Sequence, residues 1–153
     1  MQIDAAHATL REIPVDLIDR NPENPRIVFR QAELEELLVS IRKYGVQVPI
    51  SVYKDGNRYV LIDGERRWRC ALKLNHKTIP GLVQSKPDQL TNILLMFNIH
   101  ALREQWDLLT IALKLPRVIK LLKKQLGYEP NERELLEQTG LRRAILRRCK
   151  LLI

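Results

Sequence analysis

An apolar run, Tyr59-Val60-Leu61-Ile62, meets Asp63-Gly64 and continues directly into Glu65-Arg66-Arg67-Trp68-Arg69-Cys70-Ala71-Leu72. The run suits a half-buried strand. Beyond it, Trp68, Ala71, Leu72 and Leu74 recur at helical spacing, so strand passes into helix at Asp63-Gly64. Gly64 lets the backbone turn tightly there and lets a ligand approach closely. The first turn of a helix leaves amide N–H groups without intrahelical partners, and the dipole favours an anion beside them. Arg66, Arg67 and Arg69 set three guanidinium groups at that helix start, and guanidinium pairs with phosphate through two parallel hydrogen bonds. The stretch reads as a polyphosphate-binding site. On charge alone, a solvated basic helix start, its arginines paired with Glu65 and other surface acids, fits equally well.

The 153 residues suffice for one ordinary domain or two small ones, and 45% hydrophobic with 29% charged residues is a globular composition. No apolar run approaches the length of a membrane span, and the first nine residues do not form a signal peptide. Cys70 and Cys149 stand apart from each other and from His7, His76 and His100, which argues against a metal cluster and for reduced thiols in the cytoplasm. The charge of +8 is uneven. Residues 1–99 hold 14 Lys and Arg against 12 Asp and Glu, while residues 100–153 hold 12 against 6. The C-terminal third is therefore the expected nucleic-acid surface, since neutralising phosphates releases counterions.

Along the chain, Leu10 to Pro14 reads as a short edge strand. Asn21-Pro22-Glu23-Asn24-Pro25-Arg26 reads as a stiff, non-helical loop that holds Arg26 either for a ligand or as a surface residue. Gln31 to Tyr44 is an amphipathic helix with a stripe of Leu34, Leu37, Leu38 and Ile41, stopped by Gly45. Val46 to Tyr53 is expected as a strand with a proline-marked start, and Lys54 to Arg58 as a hairpin turn around Asp55-Gly56. Thr78 to Val83 is a further strand. A helix opens at Pro87 or Asp88 and is apolar on most faces from Leu90 to Ile99, so it is buried. Everything beyond Glu104 reads helical. Pro116 is expected to kink or divide the segment from Gln105 to Leu126, and Gly127 to end it.

The last residues give a helix capped by Asn131, a turn at Thr139-Gly140-Leu141, and a second helix, Arg142-Arg143-Ala144-Ile145-Leu146-Arg147-Arg148-Cys149-Lys150, with five basic residues and no acid. That order is the helix-turn-helix pattern, whose second helix enters the major groove of DNA. Arg142 and Arg143 at its start are placed for base edges, and Arg147, Arg148 and Lys150 for phosphates. A helical hairpin with a solvated basic face is the competing reading.

The Asn21–Arg26 loop, the stretch from Gly45 through Pro49-Ile50, and Gly64-Glu65-Arg66-Arg67-Trp68-Arg69-Cys70-Ala71 occur in the order seen in the ParB family of DNA-partition proteins, which this chain resembles over roughly Leu10 to Ile153. The resemblance implies an α/β (α+β) ParB/sulfiredoxin-like domain over residues 1–86. An all-α helix-turn-helix DNA-binding domain would follow over residues 87–153, with its helix-turn-helix at about residues 131–150. It also implies CTP with Mg2+ as cofactors, double-stranded DNA as partner, and two copies closing as a dimer around it, at the nucleoid or a plasmid. Carried over by motif, Asn21, Pro25 and Arg26 would line the nucleotide. Gly45, Val46, Gln47, Pro49 and Ile50 would flank base and ribose, and Gly64, Glu65, Arg66 and Arg67 would hold the triphosphate. Where the family has a Glu-Asn pair for magnesium, this chain has Phe97 and Asn98, which leaves Asn98 as the one candidate metal ligand and at most a weak CTPase. The sequence as given does not include the long N-terminal tail through which the family engages a partition ATPase, so that partner is not indicated. Nor does it leave room after the second helix for the family's C-terminal dimerisation domain; it is expected to be either a piece of a longer protein or one that assembles differently. A sulfiredoxin-type catalytic cysteine is missing too: Gly64-Glu65-Arg66-Arg67 stands in its place, and Cys70 is expected in the core.

Two other functions compete. A small-molecule kinase or nuclease on the same fold would use Glu65 as base with Asp63 and Asp19 as acidic ligands. A transcriptional regulator would keep the DNA-binding helices with a vestigial nucleotide site.

Overall fold

The structure, a computed structural model, describes residues 8–25, 30–103 and 106–153. It divides into two compact units. The first holds the described residues of Met1–Pro22 and Val28–Lys86, and the second those of Glu23–Ile27 and Pro87–Ile153.

The first unit is a mixed sheet with two helices. Its strands are β1 (Thr9–Pro14), β2 (Ile18–Asp19), β3 (Ile50–Asp55), β4 (Arg58–Asp63) and β5 (Thr78–Gln84), in the order β1-β5-β3-β4-β2. β3 and β4 form the expected antiparallel hairpin, with Asp55 opposite Arg58 across Gly56-Asn57. β5 lies parallel to β3, and β1 closes one edge antiparallel to β5. Two-residue β2 pairs in parallel with β4 at the other edge, a strand too short to announce itself by alternation. α1 (Gln31–Tyr44) and α2 (Glu65–Lys73) complete the unit. Ile13, Val15, Ile18, Ile50, Val52, Leu61, Ala71 and Ile79 form a core on which Trp68 packs. The Trp68 indole N–H donates to Val15 O at 3.1 Å, so the aromatic brings its polar edge into the core satisfied.

One strand begins later than the sequence implies. β3 starts at Ile50, not Val46. Pro49 has no N–H to give a ladder, and the residues from Gly45 to Pro49 run as irregular chain between α1 and the sheet.

The second unit is helical: α3 (Gln89–Met96), a π-helical turn (Phe97–Ala101), α4 (Leu108–Leu126), α5 (Glu132–Thr139) and α6 (Arg143–Leu152). Three of its helix starts are capped by side chains. Asp88 accepts from Thr91 N at 2.7 Å and Asp107 from Thr110 N at 2.7 Å, while Asn131 and Glu134 form a reciprocal capping box. α3 is buried from Leu90 through Met96, as its all-round apolar sequence requires. Pro116 does not divide the segment: one helix, α4, runs through it, and it starts at Leu108, where Asp107 caps it. The proline forfeits one hydrogen bond to Ala112 O, while Ile111, Ala112, Leu115, Val118 and Leu122 on its buried face hold the helix together. Among the described residues no helix is long and apolar enough to cross a membrane.

Candidate functional site

The strand-to-helix junction sits where sequence reasoning put it. Gly64 is the N-cap of α2 at φ +108° and ψ 26°, a left-handed conformation that a side chain resists. No side chain caps this helix, and its first intrahelical bond runs from Trp68 N to Gly64 O at 3.0 Å. Ahead of that bond the start of α2 is electropositive. The glycine answers a packing demand as well. A β-carbon on Gly64 would lie 2.5 Å from Ile50 Cγ2 and 3.1 Å from Arg67 Nη2.

Arg67 joins two of the predicted motifs. Its Nη1 donates to Val48 O at 2.7 Å and to Pro49 O at 2.6 Å, so the first turn of α2 holds the irregular chain between α1 and β3. In that segment Gly45 ends α1, its N–H bonded to Ile41 O at 2.8 Å. Val46 packs against the core, Gln47 is exposed with its amide on Tyr44 O, Pro49 is half-buried and Ile50 is fully buried. The structure thus brings Gly45–Ile50 and Gly64–Arg67 together within the first unit. Arg66 points toward α1, its Nη2 at 3.7 Å from Glu33 Oε2.

Glu65, assigned by sequence to the triphosphate, is buried and faces arginines. Its Oε1 accepts from Arg20 Nε and, at 3.2 Å, from Arg69 Nη2. Its Oε2 has no hydrogen-bond partner among the described residues. The trio carries a net positive charge, and the carboxylate fixes both guanidinium groups beside the helix start. Sequence reasoning missed Arg20. It lies 45 residues before its partner, and its one local signal is its place immediately before the Asn-Pro loop. Asn21 beside it is buried in the first unit. Glu23, Asn24 and Pro25 belong to the second unit, where Glu23 pairs with Lys114 at 3.6 Å and Arg117 at 2.7 Å, and Asn24 Oδ1 accepts from Trp106 Nε1 at 3.1 Å. Arg26 lies outside the described residues.

Phe97 and Asn98 do not fit a magnesium site. Phe97 is fully buried in the second unit, edge-on to Trp106 with ring centroids 5.1 Å apart, and His100 stacks on the same indole. A hard cation needs oxygen ligands, and Phe97 supplies an aromatic core contact instead. Asn98 Nδ2 donates to Leu94 O at 2.8 Å, and its Oδ1 lies 2.8 Å from the point a β-carbon of Gly140 would occupy. Among the described residues no group of three His, Cys, Asp or Glu gathers to hold a metal.

In the C-terminal helices, Arg142 is the N-cap of α6, and Arg142, Arg143, Arg147, Arg148 and Lys150 are all exposed. Glu132 on α5 holds two of them: Arg143 Nε at 3.0 Å and Arg147 Nη2 at 3.4 Å from the same oxygen. Arg142 and Arg148 line a shallow pocket of about 270 Å³ with Trp106, Leu108, Ile111 and Ile145. Gly140 turns the chain between α5 and α6 at φ +75°.

Of the acidic ligands the competing enzyme would use, Asp19 is engaged elsewhere in the sheet unit. Asp19 is bound by Arg58 at 2.8 Å and 3.0 Å, and that hydrogen-bonded guanidinium holds the carboxyl below its usual range. Cys70 is buried, as expected, and burial pushes its thiol up, away from the reactive thiolate.

Comparison with known proteins agrees with the α/β fold of the first unit. The ParB N-terminal domain model matches residues 1–99. The chromosome-partitioning protein ParB of Caulobacter vibrioides is 42% identical over 81 residues, 51% of this chain and 27% of that protein. The nucleoid occlusion protein of Geobacillus kaustophilus is 35% identical over 114 residues, 73% of this chain and 40% of that protein. The chain therefore spans less than half the length of these relatives. Among solved structures, the C-terminally truncated ParB of Caulobacter crescentus complexed to the centromeric parS site has a TM-score of 0.62 at 28% identity, covering 93% of this chain and 71% of that one. The same relative complexed with CTP-gamma-S has a TM-score of 0.52 at 30% identity, covering 92% and 76%.

Proposed function

Since this chain belongs to the ParB N-terminal domain family, we propose that it is a CTP-switched DNA-binding protein of the chromosome- or plasmid-partition type. The triphosphate rests against the first turn of α2, where amides, Arg66 and Arg67 meet it, with Arg20 and Arg69 set alongside by Glu65. Gly45 to Ile50 flank base and ribose, and Asn21 completes the lining from the same unit. The observation that carries this reading is the bond from Arg67 to the carbonyls of Val48 and Pro49, which joins the two motifs into one surface. The relative solved with CTP-gamma-S supports the choice of nucleotide.

DNA is read by a helix-turn-helix made of α5, the Gly140 turn and α6. α6 enters the major groove with Arg142 and Arg143 on base edges and Arg147, Arg148 and Lys150 on phosphates. The relative solved on its parS site supports this half. Glu132 pre-orients Arg143 and Arg147, so less side-chain freedom is lost on binding. Nucleotide binding closes two copies around the duplex. With Phe97 in the aromatic core, nucleotide binds without a magnesium carboxylate, and hydrolysis is weak at most.

The test is a calorimetric screen of the four nucleoside triphosphates with and without duplex DNA. CTP is expected to bind in preference to the others, and duplex to raise its affinity. If none of the four binds under either condition, the nucleotide half of the reading fails.

A further inference from the structure

We infer that the exposed face of α4 is a second, sequence-independent binding surface for the DNA backbone, separate from α6; this rests on the DNA-binding reading above. α4 carries Lys114, Arg117, Lys120, Lys123 and Lys124 and not one acidic residue along its 19 positions. Four of these, Arg117, Lys120, Lys123 and Lys124, line an open groove of about 820 Å³ with Gln89, Pro116 and Leu121.

The acids that face this groove neutralise only part of it. Glu23 takes Lys114 and Arg117, and Glu129 takes Lys123 at 3.1 Å. Among the described residues, neither Lys120 nor Lys124 has an ion-pair partner. The two are one helical turn apart on the same exposed face.

Phosphate backbone fits this surface better than a small anion or an apolar partner does. From Arg117 to Lys124 the helix rises about 10 Å, the axial span of roughly three phosphates on one strand. The groove is wide and open rather than enclosed, and its lysines are long, flexible point charges that suit a chain of phosphates and carry no base code. The α6 arginines Arg142 and Arg148 lie over the other end of α4, beside Leu108 and Ile111. Lys120 and Lys124 lie about 14 to 24 Å further along the helix axis. A duplex seated on α6 therefore meets one basic surface at each end of α4.

The experiment measures duplex affinity of the whole chain across a salt series, for two unrelated sequences. Lys120→Ala/Lys124→Ala is expected to weaken both duplexes alike. It should make the log–log salt slope shallower by roughly 1.8, about 0.9 for each phosphate no longer neutralised. Lys120→Arg/Lys124→Arg should keep the wild-type slope. In contrast, Arg142→Ala/Arg143→Ala should change the preference between sequences. An unchanged slope in the alanine variant, with wild-type binding intact, overturns the inference and leaves the α6 reading standing. A variant that loses retention of polyglutamate while its duplex slope is unchanged also overturns it, and marks the groove as a site for an acidic protein. Failure of the wild-type chain to bind any duplex at any salt overturns both. Both lysines are exposed, and an unchanged circular-dichroism melt establishes that the variant is folded.

Discussion

Arg67 reaches across from the first turn of α2 to Pro49, its Nη1 donating to the Pro49 carbonyl at 2.6 Å. The same nitrogen also holds Val48 O at 2.7 Å. Both acceptors lie in a segment that makes no ladder with the sheet, so this guanidinium supplies order that the segment's own backbone cannot. Arg67→Ala is expected to loosen residues 45–49 and weaken CTP binding at least about tenfold, since a hydrogen bond from a charged donor contributes roughly 1.5–3 kcal/mol. Affinity for a short duplex should change by less than about twofold, because α6 is untouched. Calorimetry of CTP and of duplex on the same preparation separates the two effects.

Gly64→Ala tests the junction itself. The new methyl group would meet Ile50 Cγ2 at 2.5 Å in a backbone of positive φ. The left-handed strain costs about 1–2 kcal/mol and the overpacking about as much again. Urea unfolding should show a loss of roughly 2 kcal/mol or more. A loss under about 0.5 kcal/mol would mean that the turn at Gly64 is looser than its geometry implies.

Why some of this can be read from the residues alone, and some not, comes down to the range of the forces involved. Local chemistry announces itself. Gly64 between an apolar run and a helical repeat, Asp55-Gly56 between two strands, and Asn131 three residues before Glu134 each encode a turn or cap within a few residues. α1 also matches its expected span, from Gln31 to the Gly45 stop. What depends on distant partners does not show. β2 exists because Ile18 and Asp19 find β4 forty residues on. Pro116 stays helical because five neighbours on its helix are buried. Arg20 gains its place through Glu65, and Phe97 through Trp106. The convergence of Gly45–Ile50 with Gly64–Arg67 follows from motif order, but the bond that makes it cannot be read from spacing.

Phe97→Glu restores the residue type expected at a magnesium-binding position, yet here it would push a carboxylate into the Phe97–Trp106–His100 cluster. Burying an unpaired charge costs about 3 kcal/mol or more. The variant should melt well below wild type and gain no magnesium dependence of CTP binding. For the wild-type chain, adding EDTA to the CTP titration should leave the affinity within about twofold.

Acid should weaken the helical unit. Asp88 and Asp107 hold their carboxyls below the usual range through hydrogen bonds from Thr91 and Thr110, and Glu134 through Tyr128 and the Asn131 amide. A depressed carboxyl contributes stability that is fully present above its ordinary value, about 4, and is lost as pH falls through the folded value. Thermal melts followed by circular dichroism should therefore be flat from about pH 7 to 5 and fall below about pH 4. Asp88→Asn and Asp107→Asn keep a capping oxygen but no titrating group, so the double variant should show a shallower fall.

The central claim places a triphosphate on the amides and guanidinium groups that open α2, and backbone amide NMR during a CTP titration reads that contact most directly. The account predicts the largest saturable shifts at Gly64, Glu65, Arg66 and Arg67, with a second set at Val46 to Val48, and their loss in Arg67→Ala. Saturable shifts confined to other parts of the chain, with Gly64 to Arg67 unmoved, would contradict it.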